Sequence, residues 1–344
     1  PESNDLVTVP AVQVEPRQDF AMPLPIPGVV AAQLKSFSPD IIHAHHPFLL
    51  GSTALTAAAR WNAPLVFTHH TMFEYYAHYA SANTPRLQNL IRELSTGYAN
   101  LCDCVFAPTP SVAKALKERG VTSRIEIIPT GINTHAFMTG SGKSIRQRFG
   151  ISPESFVVGY VGRLAPEKNL LFLTSALIKF LVENSNSHAL VVGDGPLRQK
   201  IMSLAKKASV EDRFHFTGTL RDDDLINAYH AMNIFAFASF SETQGLVLLE
   251  ALAAGLPVVA LSAPGSRDII RPAHNGWLVQ EQDEDMFSQT LFAAYLLTVA
   301  KPKRYQHNAQ HSVAEYDEQL CADRALSVYE TLVDDNHLTH YNRQ

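Results

Sequence analysis

From about Asp40 onward, short apolar runs alternate with longer stretches whose apolar residues recur every third or fourth position. This is the rhythm of strands alternating with helices. DIIHAH (40–45) reads as a strand, 51–60 as an Ala-rich helix, PLVFTHH (64–70) as a strand, 86–100 as a helix and CVFAPT (104–109) as a strand. A helix over 112–119 and a strand and turn over 124–132 complete the first series. Such alternation predicts a parallel sheet with helices on both faces.

The pattern lapses over 134–151, which carries Gly140 and Gly142, and the interdomain segment is expected there. A second series follows: strand 156–164, helix 169–183, strand 189–195, helix 196–208, strand 214–218, helix 223–232, strand 233–239, a strand near 276–279 and a helix over 284–300. The expected organisation is an α/β chain of two Rossmann-like, doubly wound domains, 1–145 and 146–314, followed by a C-terminal helix and tail, 315–344. In the last helix Leu320, Ala325, Leu326, Val328 and Leu332 form a packing stripe. Two such domains facing one another place a cleft at the carboxyl ends of both sheets. Residues 1–39 are Pro-rich, with MPLPIPG at 22–28, and read as a connector or edge with at most a short strand near Leu6–Val9.

The second series centres on SETQGLVLLEALAAGLPVVA (241–260). Val247, Leu248, Leu249, Leu252 and Ala253 make an apolar helix, which Gly255 and Pro257 end before a Val258–Ala260 strand. Glu242 falls in the preceding loop and Glu250 on the helix. The N–H groups of a helix start are unpaired, and Gly245 allows close approach to Gln244, Gly245, Leu246 and Val247, so this is a site for an anion, best a phosphate. The glutamates repel phosphate and must serve neutral hydroxyls of the same ligand. A sugar nucleotide has both parts. The alternative is an acid favouring the helix dipole at 242 and a solvated acid at 250.

Other strand ends add candidates. GRLAPEKN (162–169) offers Arg163 and Lys168, a planar fork and a point charge for one diphosphate, or else ordinary surface charge beside Glu167. VVGDGP (191–196) falls short of a dinucleotide fingerprint. Gly193 there lets backbone approach a nucleotide, or the turn is simply tight with Asp194 as helix cap. Backbone around Leu220 would hold the base. In the first half His43, His45 and His46 end one strand and His69 and His70 the next. Ligand spacings for zinc are absent, so a His donor to a sugar hydroxyl or phosphate is the better reading, with three of the five satisfying rim or core hydrogen bonds. The row Met72, Phe73, Tyr75, Tyr76 and Tyr79 is core, or else a surface for an apolar acceptor or a bilayer. His45, His46, Phe73 and Tyr76 are the acceptor-side candidates.

Composition narrows the partners. At 344 residues with 46% apolar content the chain can fill two cores, and a net charge of −5 gives no footprint for nucleic acid. The ten Lys/Arg and ten Asp/Glu up to residue 145 cancel, so the acidic excess lies in the second half. Three cysteines make no disulfide framework and suit a reducing, cytoplasmic setting. Neither a membrane span nor a signal peptide is legible, and the absence of an initial Met suggests processing or a piece of a longer protein.

Taken together, GRLAPEKN, the GDGP turn and the Glu–x7–Glu unit with its AxAxGxPVV tail resemble the retaining GT-B glycosyltransferases of family 4, over about 39–333. The resemblance implies that Arg163, Lys168 and the N–H groups of Gln244 to Val247 hold the diphosphate of a nucleotide sugar. It also implies that Glu242 binds donor-sugar hydroxyls, that Glu250 binds the ribose, and that His70 contacts donor sugar and phosphate near the reaction centre. No metal is implied. DIIHAHHPFLLG, FTHHTMFEYYAHY and SETQGL look like the diacylglycerol glucosyltransferases, which implies a UDP-glucose-like donor, a lipid acceptor and peripheral contact with the inner membrane face. Transfer to a soluble sugar or protein, or nucleotide-sugar binding without catalysis, are the alternatives. Family members open with a strand, a Gly-rich loop and a helix, and only the Pro-rich stretch precedes Asp40, so the first domain is expected to lack its first β-α unit.

Overall fold

The computed structural model describes residues 8–13, 21–24, 37–74 and 84–341. These form two compact units, one of residues 1–128 with 323–344 and one of 129–322. The first strands, β1 (Ala11–Gln13) and β2 (Ala21–Pro23), pair as an antiparallel hairpin, so the early strand lies later than Leu6–Val9, of which only residues 8 and 9 are described.

The main sheet of the first unit is parallel, in the order β3 (Ile42–Ala44), β4 (Leu65–Thr68), β5 (Cys104–Ala107), β6 (Arg124–Ile127). Helices α1 (Leu50–Trp61), α2 (Pro85–Ala99) and α3 (Pro110–Glu118) connect the strands. Thr84 and Thr109 cap α2 and α3, accepting from Leu87 N–H and Val112 N–H, each with Pro at the first helical position. Alternation along the strands sorts the core. Phe67, Val105 and Ala107 face Tyr98, Val112 and Leu116 on one side, and Val66, Cys104 and Phe106 form the other.

The second unit carries six parallel strands in the order β12-β11-β10-β7-β8-β9. Before them, two short helices, α4 (Thr134–Met138) and α5 (Lys143–Arg148), occupy the stretch in which the pattern lapsed. Ile145 is buried in this unit's core, so the expected border at 145/146 falls inside a helix rather than at a join. Then follow β7 (Phe156–Val161), α6 (Leu170–Glu183), β8 (Ser187–Val192), α7 (Arg198–Lys207), β9 (Phe214–Gly218), α8 (Asp222–His230) and β10 (Ile234–Phe237). The last elements are α9 (Leu246–Ala253), β11 (Val258–Leu261), α10 (Ser266–Ile269), β12 (Gly276–Val279), α11 (Glu284–Ala300), α12 (Pro302–His311) and α13 (Glu318–Tyr341). Helices α10 and α12 carry too few apolar residues to be legible as separate elements. Along β7, Val157 and Val161 join the core beneath α8 and α9, while Val158 and Tyr160 join the one beneath α6 and α11. The strand order turns at β7, with β8 on one side and β10 on the other, which is where ligands gather in open α/β sheets.

Helix α13 is more than a tail. From Asp323 it belongs to the first unit, where Ala325, Val328, Tyr329 and Leu332 cover Val66, Cys104 and Phe106. Leu320 and Leu326, placed in the packing stripe by periodicity, are instead 47% and 53% exposed. None of the three cysteines forms a disulfide, and all are buried. Burial pushes the Cys102 thiol up to about 12 and Cys104 to about 11, so both stay protonated. Among the described residues no helix is long and apolar enough to cross a membrane.

On the second sheet His188 of β8 and His215 of β9 stack, with Nδ1 of the first 2.9 Å from Nε2 of the second. Burial, then the neighbouring His188, lowers His215 to about 4, while burial, then Arg213 and Arg146, lowers His188. The unfolded chain binds these protons near pH 6.5 and the folded chain only below that. The stability is therefore complete above about pH 6.5 and is lost as the pH falls toward 4. Urea midpoints are expected to drop between pH 7 and pH 5, and to drop less steeply in His215→Gln. Parallel pH dependences in the two proteins would remove the pair from this account.

Candidate active site

The candidate residues of the second unit lie on loops that leave the carboxyl ends of β7, β8, β9 and β10 and on α9, which follows the last of these loops. Backbone hydrogen bonds stitch three of these loops together. Gly162 N–H donates to Val192 O at 3.0 Å, Leu164 N–H to Asp194 O at 2.9 Å, Leu197 N–H to Leu164 O at 2.9 Å and Gly193 N–H to Gly218 O at 2.8 Å. A Cβ on Gly193 would collide with the Gly162 carbonyl, and its φ of 128° already lies where side chains are strained. Gly193 is thus needed for loop-to-loop packing. Asp194 does not cap α7, whose N-cap is Leu197 without a side-chain bond; it accepts from Gly195 N–H at 2.7 Å and pairs with Arg198 at 3.0 Å. Leu220 follows β9 and packs half-buried on the core beneath α9.

The loop after β7 is tied to the loop after β10. The Ser239 and Ser241 hydroxyls both donate to Glu167 O, at 3.4 and 3.3 Å, and buried Tyr160 donates to Arg163 O at 3.3 Å. Lys168 and Glu242, which the resemblance assigns to different parts of one ligand, form an ion pair with each other. Each of these side chains is 19% exposed, so the pair is only partly screened by water. Arg163 is exposed on the same loop.

Gly245, at φ 75°, is the N-cap of α9 and offers no side chain to the helix N–H groups, and the first turn carries no acid. The N–H groups of Leu246 and Val247 therefore open a helix whose dipole is uncompensated locally. The Gln244 side chain turns away to bracket one peptide. Its Oε1 accepts from Thr130 N–H and its Nε2 donates to Thr130 O, both at 2.8 Å. With 4% exposure, this side chain staples the loop to the segment just after β6 and leaves only backbone for a ligand. One turn into α9, Glu250 accepts from the Tyr229 hydroxyl at 2.6 Å. Burial raises the Glu250 carboxyl and the Tyr229 bond partly offsets that.

The five candidate histidines of the first unit separate into two kinds. His43 is engaged on both nitrogens, by Tyr329 Oη at 2.5 Å and Thr68 Oγ1 at 2.6 Å. His46 Nδ1 accepts from Phe48 N–H at 3.2 Å, and its ring meets Phe73 edge-on at 5.0 Å. His69 is buried and reaches Ser95 Oγ at 3.3 Å. These three are each bonded within the fold. His45 and His70 instead bond to each other, Nδ1 to Nε2 at 2.8 Å, with stacked rings. Burial and then His45 lower His70 to about 4, and burial lowers His45, so the pair is neutral at pH 7. The His70 loop is pinned further on by Glu74, which meets Arg119 at 2.5 Å. Phe73 packs partly buried on the core, whereas Tyr75, Tyr76 and Tyr79 lie outside the described residues. Among the described residues no three His, Cys, Asp or Glu side chains are grouped to hold a metal ion.

Sequence reasoning missed Tyr229, Gln244's side-chain role and the Ser239/Ser241 clamp. Tyr229 sits in a helix as one more apolar position, and nothing in its spacing points to Glu250.

The chain as a whole is similar to known proteins. Residues 142–312 match the family described as Glycosyl transferases group 1, and residues 1–136 match Glycosyltransferase Family 4. The chain is 28% identical over 300 residues to the alpha-monoglucosyldiacylglycerol synthase of Streptococcus pneumoniae, covering 86% of this chain and 67% of that protein. It is 30% identical over 312 residues to a GDP-mannose-dependent alpha-mannosyltransferase of Mycobacterium tuberculosis, covering 90% and 78%. Its fold matches that of Anabaena HepE, solved with UDP and glucose, at a TM-score of 0.74 and 21% identity, covering 88% of this chain and 81% of that one. The chain belongs to the family 4 glycosyltransferases of GT-B fold and is an enzyme that takes its glycosyl group from a nucleotide-sugar donor.

Proposed function

We propose that this enzyme transfers glucose from UDP-glucose to the hydroxyl of a glycerolipid with retention at the anomeric carbon. The observation that carries the donor half is the meeting, at the turning point of the second sheet, of the Arg163–Lys168 loop and the uncapped start of α9. Both present positive charge to one place, and a diphosphate leaving group needs that charge as the glycosidic bond breaks. On this reading the sugar C1–O(phosphate) bond breaks, the acceptor oxygen bonds to C1 on the same face, and the acceptor proton passes to the departing phosphate oxygen. Glu242 binds sugar hydroxyls once Lys168 turns from it to the diphosphate, Glu250 takes the ribose, and backbone near Gly193 and Leu220 flanks the nucleoside. His70, held by His45, contacts the donor sugar. The cationic groups do the work otherwise asked of a divalent metal, so none is assigned.

The likeness to glucosyldiacylglycerol synthases supports glucose and a lipid acceptor. Helix α2 supports peripheral membrane contact, because it exposes Leu90 (51%) and Leu94 (53%) one turn apart, with Leu101 (65%) beyond its end. His46, Phe73 and Tyr76 belong to the acceptor side on this reading. A second reading, transfer of mannose from GDP-mannose, is favoured by the 30% identity to the mycobacterial mannosyltransferase.

Three measurements test this. Arg163→Ala and Lys168→Ala are each expected to lower turnover by about 100-fold, and near-normal rates would remove them from the site. With diacylglycerol in mixed micelles, mass spectrometry is expected to find a hexosyl lipid from UDP-glucose, whereas product from GDP-mannose alone would establish the second reading. In flotation, the protein should rise with anionic vesicles and Leu90→Ser/Leu94→Ser should rise less; protein that stays below in both forms argues for a soluble acceptor.

A further inference from the structure

Glu250 is a half-buried carboxylate of the site whose partner is a fully buried tyrosine. The Tyr229 side chain, on α8, is 0% exposed. Its hydroxyl donates to Glu250 Oε2 at 2.6 Å and lies 3.5 Å from Val247 O. The ring is held edge-on to Phe137 at 5.7 Å and tilted on Phe235 at 5.9 Å, so it has no room to swing away. Tyr229 therefore fixes one point that touches both ends of the proposed nucleotide subsite, the first turn of α9 and the carboxylate one turn later. Four residues of helix span roughly 6 Å, about the reach from a diphosphate to the hydroxyls of its ribose.

We propose that Tyr229 is a positioning residue that sets the enzyme's preference for ribonucleotide over 2′-deoxyribonucleotide donors by locking the Glu250 carboxylate. An ionised carboxylate only accepts hydrogen bonds. With Oε2 taken by Tyr229, Oε1 is left to accept from ribose hydroxyls. Without the phenol, the carboxylate loses its one strong internal partner and rotates among wells, so the ribose bond must order it at each binding event. A 2′-deoxyribose makes less of that bond and loses less. The inference rests on the assignment of Glu250 to the ribose.

The test measures calorimetric affinities for UDP and 2′-deoxy-UDP, or GDP and 2′-deoxy-GDP if guanosine is the base bound, in four proteins: wild type, Tyr229→Phe, Glu250→Ala and the double variant. Phe keeps the ring and its volume, so the core packing is retained. Wild type is expected to prefer the ribonucleotide by about 10-fold, as for one hydrogen bond to a charged group. Tyr229→Phe should weaken ribonucleotide binding about 5-fold and leave the deoxy form nearly unchanged, and it should have no further effect once Glu250 is Ala. Equal weakening of both nucleotides by Tyr229→Phe, persisting in the Glu250→Ala background, would mean a packing role and overturn the proposal. An unchanged wild-type ratio in Tyr229→Phe would overturn it as well. If Glu250→Ala itself leaves ribonucleotide affinity intact, the ribose assignment falls, and the proposal falls with it.

Discussion

Parallel pairing governs what this molecule can do. When every strand of a sheet runs the same way, every strand-to-helix loop leaves at one edge, and residues distant in sequence become neighbours there. In the second unit β7, β8, β9 and β10 deliver Arg163, Lys168, Gly193, Leu220 and Glu242 to that edge. The loops are not separate. Glycine backbones at 162, 193 and 218 bond across three strand ends, and the Glu167 carbonyl is held by two serines from the neighbouring loop. The result is a preorganised surface of N–H groups and cationic side chains, a form in which a protein stabilises developing negative charge.

The ion pair between Lys168 and Glu242 gives this surface an internal balance. A lone ammonium or carboxylate at 19% exposure would bear part of the cost of leaving water, and each lowers that cost for the other. On the proposed function a diphosphate competes for the lysine and a sugar hydroxyl for the glutamate, so one ligand exchanges one ion pair for two sets of contacts. Glu250 and Tyr229 solve the equivalent problem deeper in the unit with a neutral hydroxyl, where a second charge would be harder to bury.

Alternation and spacing in the sequence by themselves determined the two strand-helix series, the loops that carry Arg163, Lys168 and Glu242, and the helix that starts at Gly245 and carries Glu250, because periodicity and glycine-proline punctuation act over a few residues. Strand 214–218 and helix 284–300 agree with the structure to the residue for that reason. Where a segment is short or weakly apolar, as in α4, α5, α10 and α12, the period had too few turns to register. Which partner each side chain takes was decided only by the tertiary structure. Gln244 meets Thr130 across 114 positions, Lys168 meets Glu242 across 74, and Tyr329 of the last helix meets His43 across 286. Five neighbouring histidines looked equivalent in the sequence, yet packing ties three to the fold and leaves His45 and His70 bonded to each other. Such pairings depend on sheet order and on which face a helix covers, and both are set by burial of the whole core rather than by any local run of residues.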